Sequence, residues 1–358
     1  MVRFIYIFML MLLAATSCRQ IEPLVEQELS NGPEFTARIE EFDVQSKTSL
    51  ANGSSVVWST GDQIAIFQGA YVADRYQVKD ESVGTKNGIF TIVAKGDGSP
   101  ASTFQTNIAL YPYEEGLECT AIIEDSEVAS YKITGVTIPS VQTYATGTFP
   151  DESFLMAAIT DGLEDHTLNF KNLCGALKLQ LKGTMKVKSV MVQGHDSERL
   201  SGEATVTVFH DGIVPSVTMN ESASTTVTLD CGDGVQLDET TATDFLITIP
   251  PTAFEKGFIA IVTDVNGGVA KIETDKSNTV QRSYVHVMPE VMIEPQHDPS
   301  REHYIGKRLW VFGDSITAGV GTTSPYYFSQ ILCDNLGFGS LNRLGNSGHA
   351  FSLGINDY

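Results

Sequence analysis

From Phe35 to Glu294 apolar and polar positions alternate with a period of two, in short runs broken by turns. In "SSVVWSTGDQIAIFQG", Val57 precedes a turn at Thr60-Gly61-Asp62, after which Ile64 and Ile66 alternate with Gln63 and Ala65. "ALKLQLKG" sets Leu177, Leu179 and Leu181 against lysine and glutamine. "SGEATVTVFHDG" and "TTVTLDCGDG" alternate likewise and end in glycine-rich turns, and "TDFLITIPP" and "GFIAIVTDVNGG" follow. An extended chain sends successive side chains to opposite faces, so this period predicts strands buried on one side. β-branched enrichment with turn signals every ~8–12 residues predicts antiparallel β-sandwiches. No run here sustains a helical period over several turns. The length exceeds one ordinary sandwich, so two in tandem are expected, 35–150 and 151–294, with the seam in "GTFPDESFLMAA", Gly147 to Ala158.

The pattern then changes. "EPQHDPSREHY", Glu294 to Tyr304, interrupts the alternation with prolines and charges, and 295–306 reads as a linker. "KRLWVFGDS" is an apolar run entering a Gly-Asp-Ser turn, as a buried parallel strand does. Ser324 and Pro325 form an N-cap and first-turn pair; Phe328, Ile331, Leu332 and Leu336 share one helical face, and Gly337 closes the helix. "SLNRLGNSG" supplies a second short strand and loop. Strand, helix, strand is the opening of an α/β fold, expected over 307–358.

At the other end, Arg3 precedes the apolar run "FIYIFMLMLLAA", Phe4 to Ala15. Twelve helical residues reach about 18 Å, short of the ~30 Å hydrocarbon layer. The run therefore reads as an export signal, 1–18, rather than a membrane span. It ends in "ATSC", which resembles a bacterial lipobox. That resemblance implies lipidation of Cys18, a polar tether over 19–34, and a surface-exposed lipoprotein held by its lipid in the outer membrane of a Gram-negative bacterium. Ala15 stands where a leucine is usual, and the other reading is an ordinary cleaved signal.

Charge sharpens this picture. With 23 basic and 44 acidic residues the chain carries −21, which argues against a nucleic-acid partner, whose phosphates need a cationic footprint. It suits a soluble exported surface. Beyond Cys18 lie Cys119, Cys174, Cys231 and Cys333, an even number that permits disulfides in an exported chain. Their wide spacing in apolar or turn contexts is equally that of buried free thiols, and without a CxxC pair no metal site is implied.

"WSTGDQIAIF", "NIALYPY", "IPSVQTY", "LNFKNLCGALKLQLKG" and "NTVQRSYVHVMPEVMIE" resemble, in order along 35–294, the fimbrillin family of pilin-type lipoproteins. The resemblance implies two tandem transthyretin-like β-sandwiches on a lipid-anchored precursor, with other fimbrial subunits as partners. The same sandwich also serves as spacer or adhesive module. His166, His195, His210 and His286 are scattered, with no carboxylate or cysteine at metal-ligand spacing, and read as strand or turn residues. Asp62 and "CGDG", Cys231 to Gly234, read as turn chemistry; Trp58 and the "YPY" aromatics read as packing. No residue singles out a glycan surface.

"GDSIT", Gly313 to Thr317, resembles the first block of the SGNH (GDSL-type) hydrolases, a flavodoxin-like α/β family, and "NRLGNSG", Asn342 to Gly348, resembles the second. The resemblance implies Ser315 as nucleophile on an ester, with Gly348 as an oxyanion donor and Asp314 shaping the turn. "GINDY", Gly354 to Tyr358, reads like the third block, placing Asn356 in the oxyanion hole. Only 356 − 348 = 8 positions separate the two, however, and a parallel crossover needs about a dozen residues before its strand begins. Either that match is accidental or the chain carries an internal deletion.

The Asp-x-x-His block that supplies the base is absent. None of the seven histidines has an aspartate three residues before it, and only His349 follows Ser315. Loss of the histidine costs a serine triad about a million-fold in turnover. The expectation is thus a surface lipoprotein joining a fimbrillin-like region to an incomplete, inactive SGNH-type hydrolase for an ester or acetylated glycan. The alternative is a non-catalytic fimbrillin-like structural or adhesive protein. Neither requires a cofactor or metal.

Overall fold

The computed structural model describes residues 32–41, 43–44, 56–98, 101–149, 153–210, 212–294, 307–313, 329–330, 332–333 and 340–345. The fold is mainly β. Helical structure among the described residues is confined to one 3-10 turn, Asp80–Ser82, a single 3-10 position at Ser153, and positions 329–330 and 332–333. No helix among them is long and apolar enough to cross a membrane.

Four sheets of four or more strands lie between Phe35 and Ile293, with a two-stranded sheet of Thr252–Phe254 and Asn278–Val280 in the same span. The largest has eight strands, in the order Thr167–Asn169, Phe35–Arg38, Asn87–Ala94, Asp74–Val78, Gln63–Gln68, Asn107–Tyr111, Met156–Ile159, Lys171–Asn172. On one side lies an outer sheet of four: Ser216–Met219, Gly202–Phe209, Glu127–Ile138, Glu118–Glu124. An inner sheet of four, Thr243–Ile249, Gly175–Gly183, Tyr284–Ile293 and Asp43–Val44, shares an apolar cluster with the other side. Beyond it stands a five-stranded sheet: Val269–Thr274, Phe258–Asp264, Lys186–Gly194, Thr226–Gln236, Val141–Thr143.

Side-chain alternation explains how these sheets cohere. Phe67, Ile108, Leu110 and Ala157 face the outer sheet's Tyr131, Ile133 and Val206 in one cluster. Their neighbours Ile66, Ala109, Tyr111 and Met156 point the other way, to join Trp58, Phe170 and the inner sheet's Ala176, Leu246 and Val285. Leu177, Leu179 and Leu181, on the opposite face of the inner sheet, pack with Val190, Val192 and Val262 of the five-stranded sheet. The sequence expectation of strands with one wet face is therefore corrected for Gln63–Gln68, Asn107–Tyr111 and Gly175–Gly183. Ala65 and even Lys178 are buried, because apolar layers lie on both sides of these strands.

The pairing is also less uniformly antiparallel than expected. Thr36 pairs with Thr167, Asp43 with Tyr284, Leu177 with His286 and Leu229 with Gln142, all in parallel. Each of these joins segments far enough apart for the crossover a parallel pair requires. Position 150 is not a boundary between sheets: Met156 pairs with Tyr111, Val206 with Ile133, and Thr228 with Val141. "CGDG" lies within the strand Thr226–Gln236 rather than after it. Asp230 pairs with Ser189 and Val235 with Val187, so Cys231 to Gly234 bulge opposite Lys188, with Gly232 and Gly234 at φ 57° and 98°.

After the sandwich sheets, Arg308–Gly313 pairs in parallel with Ser340–Gly345, with helical residues between them. Of the helix expected between them, positions 329–330 and 332–333 are described, and the rest of the expected α/β segment lies outside the described residues. Burial of the first strand is not as expected: Trp310 is 48% exposed, since the two-stranded sheet has no further strand among the described residues to cover it. Of the expected helical face, Phe328, Ile331 and Leu336 lie outside the described residues. Ser329 and Cys333, one turn apart, are buried, whereas Leu332 is 40% exposed.

Candidate functional site

Ser315, Gly348, Asn356 and the lipobox Cys18 lie outside the described residues. The strands that lead toward two of them are described. Gly313 and Gly345, the last residues of the parallel pair, stand in register. Ser315 follows the first by 315 − 313 = 2 positions, and Gly348 the second by 348 − 345 = 3. The carboxyl end of parallel strands is where open α/β sheets hold their ligands.

Within the sheets, residues read as structural are structural. Asp62 caps its own turn, accepting the Ser59 N–H at 2.7 Å and the Tyr111 hydroxyl at 3.1 Å. Trp58 is buried, its ring edge-on to Phe90, Tyr111 and Phe170 at 4.9, 5.3 and 5.9 Å. Cys119, Cys174 and Cys231 are free thiols, and they and Cys333 are buried. Burial raises the Cys119 thiol far above its ordinary range and pushes Cys174 up to about 12. Burial, then the neighbouring Asp230 carboxylate, takes Cys231 to about 12. Thiols kept protonated in this way are poor nucleophiles at neutral pH.

The histidines divide between packing and polar contact. His166 stands edge-on to Phe35 and His210 lies tilted over Tyr131. His286 lies 3.2 Å from the Asn278 side chain, its pKa lowered by burial. His195 is exposed, with Nε2 3.6 Å from Oε1 of Glu273.

Cavities open on the surface of the described residues. One of about 520 Å³ lies where the inner sheet meets the edge of the five-stranded sheet, lined by Leu181, Phe258, Ile272, Met288 and Val291, with Glu273 among its polar residues. Another, about 480 Å³, is lined by Ala158, Thr160, Lys171, Val208, His210 and Val214. Both are mixed apolar and polar hollows suited to a side chain or a small ligand.

No known protein-family profile matches the chain, and no curated protein matches it either. Solved structures do. A candidate cell adhesion protein from Bacteroides ovatus ATCC 8483 is 13% identical, with 74% of this chain and 95% of that one covered, at a TM-score of 0.42. A fimbrial protein from the same organism is 13% identical over 82% of this chain and 61% of that one, at 0.31. The tip fimbrial protein Mfa3 from Porphyromonas gingivalis, with C-terminal truncation, is 10% identical over 74% and 99%, at 0.30. These neighbours are adhesion and fimbrial proteins.

One grouping escaped the sequence. His195 comes together with Glu273 and Asp275, and a donor atom of each lies within 4.8 Å of the others. The residues are 273 − 195 = 78 positions apart, so no local spacing signals them. Only the register of three strands does so: Gln193 pairs with Ile259, and Ile259 with Glu273.

Proposed function

We propose that this chain is a non-catalytic, fimbrillin-like adhesive or structural protein displayed on the cell surface. The observation that carries the reading is the succession of three apolar clusters through four sheets. It makes a β body in which Cys119, Cys174 and Cys231 are buried and His166 and His210 pack against aromatic rings. The sequence resemblance over 35–294 agrees in kind: Trp58 of "WSTGDQIAIF" and Tyr111 of "NIALYPY" meet in one core. Lipidation at Cys18 would hold that body to the outer membrane, and other fimbrial subunits are its proposed partners.

The test is to express the full chain with its own leader in a Gram-negative host, then apply external protease to intact cells. Metabolic labelling with a tagged fatty acid is run beside it on a Cys18→Ala variant. Surface cleavage with Cys18-dependent labelling is the expected result. Protection from protease in intact cells, with degradation only after lysis, would overturn surface display.

A second reading is favoured by one observation, the register of Gly313 with Gly345. It brings the approaches to Ser315 and Gly348 to the same end of a parallel pair, as an SGNH-type esterase for an ester or acetylated glycan requires. The motif whose histidine takes the serine proton in such a site, Asp-x-x-His, does not occur in the sequence from Ser315 to Tyr358. Hydrolysis of p-nitrophenyl acetate by the purified chain and by its Ser315→Ala variant separates the readings. Equal rates are expected; a rate that collapses in the variant would restore the enzyme.

A further inference from the structure

We propose that His195, Glu273 and Asp275 form a binding site for a first-row divalent cation of the zinc class. The strands make the grouping. His195 follows Lys186–Gly194, and Glu273 and Asp275 lie at the end of Val269–Thr274, with Phe258–Asp264 between the two. The His195 N–H donates to the Gly257 carbonyl at 3.2 Å, which fixes where the imidazole begins. Gly257 itself has φ +81°, and a Cβ there would stand 1.7 Å from the Thr274 carbonyl. Only glycine lets the chain that carries Asp275 come this close to the turn beside His195.

The distances suit an ion better than a direct bond. His195 Nε2 and Glu273 Oε1 are 3.6 Å apart, beyond hydrogen-bond range. Ligands held at about 2.0–2.1 Å around a tetrahedral ion lie roughly 3.3–3.4 Å from one another. Small rotations of exposed side chains close the remaining gap to Asp275.

Glu273 is already divided between two roles. Its Oε2 accepts Lys271 Nζ at 2.7 Å, while Oε1 faces the imidazole. A cation on Oε1 therefore leaves the Lys271 contact intact, and that lysine becomes the outer partner that orients a ligating carboxylate. The two carboxylates are hard donors, and it is the imidazole nitrogen that favours zinc, nickel or copper over magnesium or calcium. Three protein ligands leave a fourth position open to water or to a donor brought by a partner. Glu273 and Asp275 also line the 520 Å³ cavity, so that position lies at its rim.

The test is calorimetric titration of the chelator-stripped full chain with Zn²⁺, with Co²⁺ absorption as a report of ligand geometry. One saturable equivalent is expected, weakened about tenfold or more by His195→Ala and by Asp275→Asn. His286→Ala, which changes a histidine outside the group, should leave it unchanged. Zn²⁺ should also raise the thermal midpoint of the wild type but not of His195→Ala, a comparison that exposes any variant that has merely misfolded. No saturable binding, binding undiminished in His195→Ala, or equal competition by Mg²⁺ would each overturn the site.

Discussion

Glu40 and Arg282, 242 positions apart, form an ion pair in which the guanidinium donates to both carboxylate oxygens. The same carboxylate accepts the Asn172 N–H at 2.9 Å, and Arg282 Nη1 donates to the Asn172 carbonyl at 2.8 Å. Three distant segments are thereby fastened where the eight-stranded and inner sheets approach. Burial by itself would raise the Glu40 pKa. The Arg282 and Asn172 hydrogen bonds, with the charges of Arg282 and Lys171, outweigh it and hold the carboxyl below the usual glutamate range.

A depressed folded-state pKa contributes stability above the unfolded value and loses it as pH falls through the folded one. Glu40→Gln is therefore expected to cost about 1.5–3 kcal/mol at neutral pH, the range for a hydrogen bond to a charged group. The gap to wild type should narrow steadily below pH ~4. Urea denaturation at pH 7 and pH 3 measures both; a gap that does not change with pH would refute the assignment.

Lys178 has only 8% of its side chain exposed and meets Asp244 at 2.6 Å, while Gln180 donates to the other carboxylate oxygen at 3.1 Å. Removing one member of such a pair leaves a buried charge alone. Asp244→Ala should cost about 2–4 kcal/mol, tempered because Asp244 keeps some solvent. Lys178→Met, which replaces the ammonium with an apolar chain of similar length, should be close to neutral. Thermal melts of the two variants compare them; equal losses would contradict the argument.

Trp58→Ala empties a site bounded by three aromatic rings and should cost about 3–5 kcal/mol. Fluorescence offers a second readout. The chain has two tryptophans, and Trp310 is half-exposed where Trp58 is 1% exposed. Trp58→Phe should therefore remove the blue-shifted component of the emission and leave the red one.

Cys119, Cys174 and Cys231 should resist a thiol reagent such as DTNB in the folded protein at pH 8, because burial keeps all three protonated. They should react fully in guanidinium. Treatment with a reductant should leave the melting curve unchanged, since these thiols are free. Rapid labelling without denaturant would show that one of them is accessible.

Strand identity was readable wherever a run of apolar residues met a turn signal. Leu177, Leu179 and Leu181 announced their strand, and Gly61-Asp62 the turn before Gln63. Burial of the second face was hidden. Ala65 and Lys178 look outward in a two-residue alternation, and only a further layer of protein makes them interior. The bulge at Cys231 to Gly234 resembled a strand end, because glycine and aspartate serve both purposes. Of the helical face read as apolar, Leu332 is the described member, and it is exposed while Ser329 and Cys333 are buried; Phe328, Ile331 and Leu336 lie outside the described residues. His195 with Glu273 and Asp275 left no trace in the sequence, since strand register alone joins them.

The pairing of Asp43 with Tyr284 and of Thr36 with Thr167 bears on how the molecule is made. As the polypeptide leaves the ribosome, its earliest strand has no parallel neighbour until Thr167 is synthesised, and Asp43 waits 284 − 43 = 241 residues for its own. Closing loops of that size is entropically costly and places this topology among slow folders of high contact order. Thr36 has its antiparallel partner Ile89 early in synthesis, whereas the parallel pairings that join distant segments become possible only much later.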